Sequence, residues 1–336
     1  MGWWQVSADT LAGSRFVISP LSEAIASLMT LDRGTASHPG ERVWLDAHQP
    51  AYRERLAGDP VAGALMPAAF GGHWIADFLA PAPAGEGEPA FGEELVSIRE
   101  TTLDAALADL TVSSGGPPPA VLHRSDLPER AADLLEWVWA ETVLPYWARR
   151  SRILEADIVA RTAQLSRDGW AAALAGLRPG MRWLGEGRLQ INAYDYPPRE
   201  ISGAQLLFVP VTMHGGWVSW DMPRRYAVIY PCSGALAEAG RRPPPLTQPL
   251  TQPATQALAA LLGPGRAALL VLLDTPKSTT QLVALTGLRL GSVGRHLKVL
   301  FEAGLLRRRR AGRSVLYYRS AAGEVVVSAA STDLTA

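Results

Sequence analysis

Apolar positions recur along this chain at two distinct periods. Near the C-terminus, Val293, Leu297 and Leu300 stand four and three residues apart, with Val299 and Phe301 beside them. That spacing predicts an amphipathic helix over about residues 290–303, closed by Gly304. Leu282, Val283 and Leu285 give a shorter apolar face, with Ser278 or Thr279 as cap and Gly287 as terminator. Before them, residues 254–262 and 266–273 read as Ala/Leu-rich helices separated by Gly-Pro-Gly. The front of the chain alternates between both periods. Residues 21–31, 92–110 and 127–176 read as helices, the last kinking at Pro145 and breaking near Asp168 and Gly169. Residues 181–195, 204–211, 216–221 and 225–230 carry the β-branched and aromatic runs of strands with turns between them.

This pattern divides the chain. Residues 1–240 are expected to form an α+β domain, helices with a small, mostly antiparallel sheet. Residues 241–253, "RRPPPLTQPLTQP", hold five prolines and a tandem LTQP repeat, the composition of a semi-rigid linker. Residues 254–320 form a second domain, and the small, polar residues 321–336 read as a fraying, flexible tail.

Charge sharpens the division. The whole chain is neutral, with 32 basic and 32 acidic residues. Residues 263–320, however, hold eleven Lys or Arg against two acids, whereas residues 1–262 hold 21 Arg, no Lys and 28 acids. A compact basic segment on an otherwise acidic chain is the electrostatic footprint of a polyanion binder. One cysteine, Cys232, excludes an internal disulfide and a thiolate metal cluster. No apolar run nears the roughly 20 residues of a membrane helix, and the N-terminus lacks a signal-peptide pattern, so a cytoplasmic location with no membrane partner is expected.

The basic segment has internal order. Two short helices joined by a tight Gly turn make a helix-turn-helix, and "LLRRRR", a turn at Ala311-Gly312 and "RSVLYYRS" make a two-stranded wing. Arg307 to Arg310 repel one another unless a polyanion lies against them, and duplex phosphates would supply it. Period-2 alternation lets two of the four face one side. Residues 257–320, above all "VGRHLKVLFEAGLLRRRRAGRSVLYYRS", resemble the ArsR-type winged-helix repressors in order and spacing. That resemblance implies a winged helix-turn-helix fold and a dimeric, sequence-specific DNA-binding transcriptional regulator, a repressor rather than an activator. It places Ser292, Arg295, His296 and Lys298 on the DNA-facing helix and Arg308, Arg310, Arg313 and Tyr317 in the wing. Thr280, Gln281 and Arg289 complete the expected DNA-contacting set. The cysteine motif of metal-sensing members is absent, and the usual C-terminal dimerising helix is replaced by the tail. The front domain is similar to a domain of unknown role that precedes such winged helices in two-domain bacterial regulators.

Other chemistry is sparse. All 11 Trp lie in the front domain, most simply as core, with Trp137, Trp139, Tyr146 and Trp147 the densest group and the expected wall of a pocket for a small-molecule effector. The histidines show no metal-ligand spacing, so neither metal nor cofactor is expected. Arg149, Arg150 and Arg152 read as a solvated helix face, and Cys232 as a buried small hydrophobe. An enzyme or protein-interaction module in residues 1–240, with the winged helix as targeting arm, is the alternative to a non-catalytic regulator.

Overall fold

A computed structural model describes residues 2–37, 39–72, 74–84, 89–174, 177–194, 196–232, 253–273, 277–286, 288–311 and 314–332. The chain divides into two units, Met1–Gly240 and Arg241–Ala336, both mixing helix and sheet.

Unit 1 runs β1 (Trp3–Gln5), α1 (Ala8–Ala12), β2 (Arg15–Phe16), α2 (Pro20–Arg33), α3 (Pro39–Gly58), α4 (Pro60–Phe70), α5 (Phe91–Arg99), α6 (Leu103–Ser114), α7 (Leu127–Val138), α8 (Trp147–Leu174), β3 (Arg182–Gly185), β4 (Arg188–Gln190), β5 (Arg199–Glu200), β6 (Gln205–Val211), β7 (Val218–Asp221) and β8 (Arg225–Pro231). Its organising layer is the sheet β2-β6-β8-β7. Side chains of a strand alternate between faces, and here the alternation sorts two cores. Leu207, Val209, Val211, Ala227 and Ile229 bury into a helical layer that includes α2, α4 and α7. Leu206, Phe208, Tyr226, Val228 and Tyr230 bury on the other side with Trp4, Leu189, Ile191 and Leu174. That second layer holds the smaller sheet β3-β4-β1-β5.

Several expectations need correction. The main sheet is not mostly antiparallel, because β2 and β8 both run parallel to β6 and only β7 pairs antiparallel, with β8. Both faces of β6 are covered, and such strands read as unbroken apolar runs rather than alternation. The helix expected over 92–110 is two, since Thr102 caps α6 by accepting from Ala105 N. The strand expected over 181–195 is the hairpin β3–β4, turned by Gly185, Glu186 and Gly187, all at positive φ. Helices α3 and α4 were not expected. The long helix divides into α7 and α8 at a π-turn, Trp139–Val143, followed by a 3-10 turn, Leu144–Tyr146, that contains Pro145. Within α8, Gly169 (φ 76°) breaks the helical path where the sequence suggested.

The arginine cluster is not a uniform solvated face. Arg149 and Arg152 are exposed, but Arg150 is only 1% exposed. Its Nη1 donates to Glu23 Oε1 at 2.7 Å and to Ser27 Oγ at 2.9 Å, and its guanidinium lies 5.3 Å from the Trp44 ring centre. Glu23, fully buried, also accepts from Thr212 N at 2.8 Å and from the Thr212 hydroxyl. Cys232 directly follows β8 nearby, buried as expected. Burial, with Asp157 and Glu23 adding to it, pushes its thiol well above the ordinary value.

Unit 2 runs α9 (Pro253–Leu262), α10 (Pro264–Leu272), β9 (Lys277–Ser278), α11 (Thr279–Thr286), α12 (Leu290–Glu302), β10 (Leu306–Ala311), β11 (Ser314–Arg319) and α13 (Ala321–Thr332). Of the expected linker, residues 241–253, all but the last lie outside the described residues, as does Gly287, and Pro253 instead begins α9. Leu269, Leu270, Leu273, Leu282, Val293, Leu297, Leu300 and Leu306 form the core beneath the antiparallel sheet β10-β11-β9. Residues 321–332 are a helix rather than a fraying tail. Ser320 starts it, its hydroxyl accepting from Gly323 N at 3.1 Å and donating to Gly304 O at 2.6 Å. Val326 and Val327 then pack against the core.

Two stability predictions follow from these contacts. Glu23→Leu or Arg150→Met alone strands a buried charge and is expected to cost about 3–5 kcal/mol, whereas the double variant recovers much of the loss; urea unfolding of the three proteins reads this directly. A Cβ at Gly323 would stand 2.2 Å from Leu305 O, so Gly323→Ala is expected to destabilise unit 2 by roughly 1–3 kcal/mol, seen as an earlier unfolding transition.

Candidate nucleic-acid interface

Helix α12 earns its position from its buried stripe. Val293 and Leu297 are 0% and Leu300 1% exposed, which turns Arg295 and Lys298 to the opposite side of the helix, both exposed. Arg289 precedes the helix as its N-cap residue, exposed and without a side-chain capping bond. Ser292 is half-buried on the flank. Gly304 adopts φ 71°, a left-handed value that glycine takes without strain, and turns the chain directly into β10.

The ribbon places its arginines in register. Arg307 stands opposite Tyr318, Arg308 opposite Tyr317, Arg309 opposite Leu316 and Arg310 opposite Val315. Leu306 is buried at one end of β10, and Tyr317 packs partly against the core. Arg307 and Arg308 are exposed. Arg308 lies over the ring of Phe301 on α12, 4.7 Å from its centre, a cation–π contact that joins helix and ribbon. Phe301 was not among the expected site residues, because its sequence position reads with the apolar stripe of the helix, yet its ring is 36% exposed. Lys298 has a competing partner in Glu302, 3.8 Å away one turn later.

The expected contact residues therefore do not all converge. Arg289, Arg295, Lys298 and Arg308 are exposed on α12 and the adjoining ribbon. His296 instead leans toward α10, close enough that a Cβ at Gly265 would lie 2.9 Å from its Nε2. Burial, then Arg266 and Arg295, lowers its pKa, so the ring is neutral near pH 7 and offers no fixed positive charge. Tyr317 is half-buried as a packing residue. Thr280, Gln281 and Arg310 belong to α11 and β10, but their side chains lie outside the described residues, as does Arg313 altogether.

The four aromatic residues expected to wall one pocket in unit 1 separate into three settings. Trp137 lies under Arg55, 5.3 Å from its guanidinium. Tyr146 meets His48 edge-on and within 3.3 Å of its Nε2. Trp139 and Trp147 do meet, edge to face at 5.1 Å, and Trp139 stacks flat on Phe91 at 4.7 Å. Trp147 lines an open cavity of about 470 Å³. Among the described residues, no three His, Cys, Asp or Glu side chains are grouped to hold a metal ion, and no helix is long and apolar enough to cross a membrane.

An NMR titration of the imidazole protons checks the placement of His296. Its midpoint is expected below the ordinary histidine value of 6.5. The unfolded chain then binds the proton more readily, so this residue's contribution to stability is present above about pH 6.5 and is lost as pH falls below it. No protein-family model, curated protein or solved structure matches this chain.

Proposed function

We propose that this protein is a sequence-reading DNA-binding transcriptional regulator in which Arg241–Ala336 acts as a winged helix-turn-helix domain. One observation carries the reading: Arg295 and Lys298 are exposed on the helix face opposite its core stripe, beside an antiparallel ribbon that brings four consecutive arginines. Two short helices, α11 and α12, followed by such a ribbon have the order and dimensions of a motif that sets one helix in a major groove and the ribbon on the flanking backbone. The resemblance to ArsR-type repressors adds the expectation of repression and of a homodimer on a pseudo-palindromic site, with half-sites about 34 Å apart. Unit 1 would be the part that receives a small-molecule effector. Catalysis has no place in this proposal; the sole thiol, on Cys232, is buried and held protonated rather than activated.

The experiment is a selection of duplexes from a random pool by the full-length protein, followed by binding at increasing salt. An enriched inverted repeat and a log–log salt slope of about −5, for six phosphate contacts, are expected. Arg308→Ala is expected to make that slope shallower by about 1 while preserving the selected sequence, because an exposed ribbon arginine holds phosphate rather than reading bases. Binding that ignores salt, or a pool from which nothing is enriched, would sink the reading.

A further inference from the structure

The cavity against α8 combines features that the rest of unit 1 does not use. One wall is Phe16 of β2 with Ile18 just after it; the other is Trp147, Ser151, Glu155 and Ile158, successive positions on one side of α8. The walls pair apolar groups (Phe16, Ile18, Trp147 and Ile158) with the polar Ser151 and Glu155. Trp147 is not a loose lid, because it abuts Trp139, which is itself stacked on Phe91. An aromatic wall fixed from behind loses little freedom when a ligand covers it. The π-turn between α7 and α8 sets these two tryptophans side by side, and such helix irregularities recur at functional sites.

The charge in this cavity has one sign. Glu155 is its charged wall residue; it is exposed and makes no ion pair among the described residues, although Arg152 stands three positions earlier on the same helix. A second cavity of about 410 Å³ shares Pro89 with the first and carries Glu93, Glu94 and Arg225. Arg225 is already paired with Asp221 at 2.9 Å. An indole face flanked by Phe16, Ile18 and Ile158, with a carboxylate that has no ion-pair partner among the described residues, attracts one chemistry, a hydrophobic body bearing a positive charge. We propose that this cavity is the effector site and that its ligand is an amphipathic organic cation, an aryl- or alkylamine whose ring or chain covers Trp147 and whose ammonium group faces Glu155. The proposal rests on the regulator reading above for the ligand's role, but not for its binding.

The location also gives the ligand mechanical purchase. Asp157, between Glu155 and Ile158, accepts from the Tyr230 hydroxyl at 2.7 Å, near the C-terminal end of β8. A ligand seated on α8 thus acts on the helix that holds β8.

Calorimetry of the full-length protein with 4-phenylbutylamine, against 4-phenylbutanoate, tests binding, because the two probes share a body and differ in charge. The amine is expected to bind in the millimolar range or tighter and the carboxylate not to bind. Glu155→Gln is expected to weaken the amine roughly three- to fivefold, and Glu155→Arg to reverse the preference; both changes are at an exposed position and leave the core intact. Equal binding of the two probes, a preference unmoved by Glu155→Arg, or no binding of the amine to folded protein overturns the site. The effector role is read separately, as release of the selected duplex by the amine: binding without any change in DNA affinity overturns that role. Failure to select a duplex at all overturns the regulator reading while the calorimetric result stands.

Discussion

Unit 1 hangs on one carboxylate. Glu23 has no access to water, so its charge must be met entirely by protein groups, and an ion pair in that setting is tolerated only when its lone pairs are satisfied. Arg150 meets it from α8, and the amide and hydroxyl of Thr212 meet it just beyond β6. Three elements distant in sequence are thereby fixed to one point. The helix that results has a buried side carrying Arg150 and Leu154 and an open side carrying Trp147, Ser151 and Glu155. The position of the cavity wall is a consequence of where the charge is buried.

Unit 2 solves a different electrostatic problem. A run of four arginines has to be kept apart or answered, and the fold does part of this itself. Strand geometry sends alternate side chains to opposite faces, and Phe301 takes one guanidinium onto its ring. Arg319, at the far end of the ribbon, is used internally, donating to Leu273 O and pairing with Glu324 at 3.2 Å. Positive charge is thus divided between groups that hold the ribbon in place and groups left facing outward. On the proposed reading, the exposed groups, Arg308 over Phe301 included, contribute to phosphate binding, and Arg319 does not.

Much of unit 2 was legible in the sequence. Val293, Leu297 and Leu300 stand at helical spacing, and the two basic and aromatic runs expected as strands pair as β10 and β11. The helix at 321–332 was missed because its small and β-branched residues resemble a tail, and its anchoring comes from Ser320 and the close approach of Gly323 to Leu305, neither visible locally. In unit 1, α3 and α4 were hidden by Pro50 and Pro67 inside them, residues that ordinarily mark helix ends. The parallel pairing of β2 with β6 joins residues nearly two hundred positions apart, and only three-dimensional packing specifies it. The burial of Arg150 was illegible for the same reason, since its partner lies 127 residues away. Of the four aromatic residues grouped by sequence proximity, helix geometry brought Trp139 and Trp147 together and sent the others elsewhere.

The solitary cysteine gives this architecture a built-in clock. Cys232 sits at the end of a central strand beside the Glu23–Arg150 pair, shielded from solvent and held as the unreactive thiol. An alkylating reagent can modify it only in molecules whose sheet has opened far enough to admit water. With no second thiol in the sequence to confuse the signal, the rate of modification counts those openings. The same chemistry that makes Cys232 useless as a nucleophile makes it a reporter of how often the layers of unit 1 come apart.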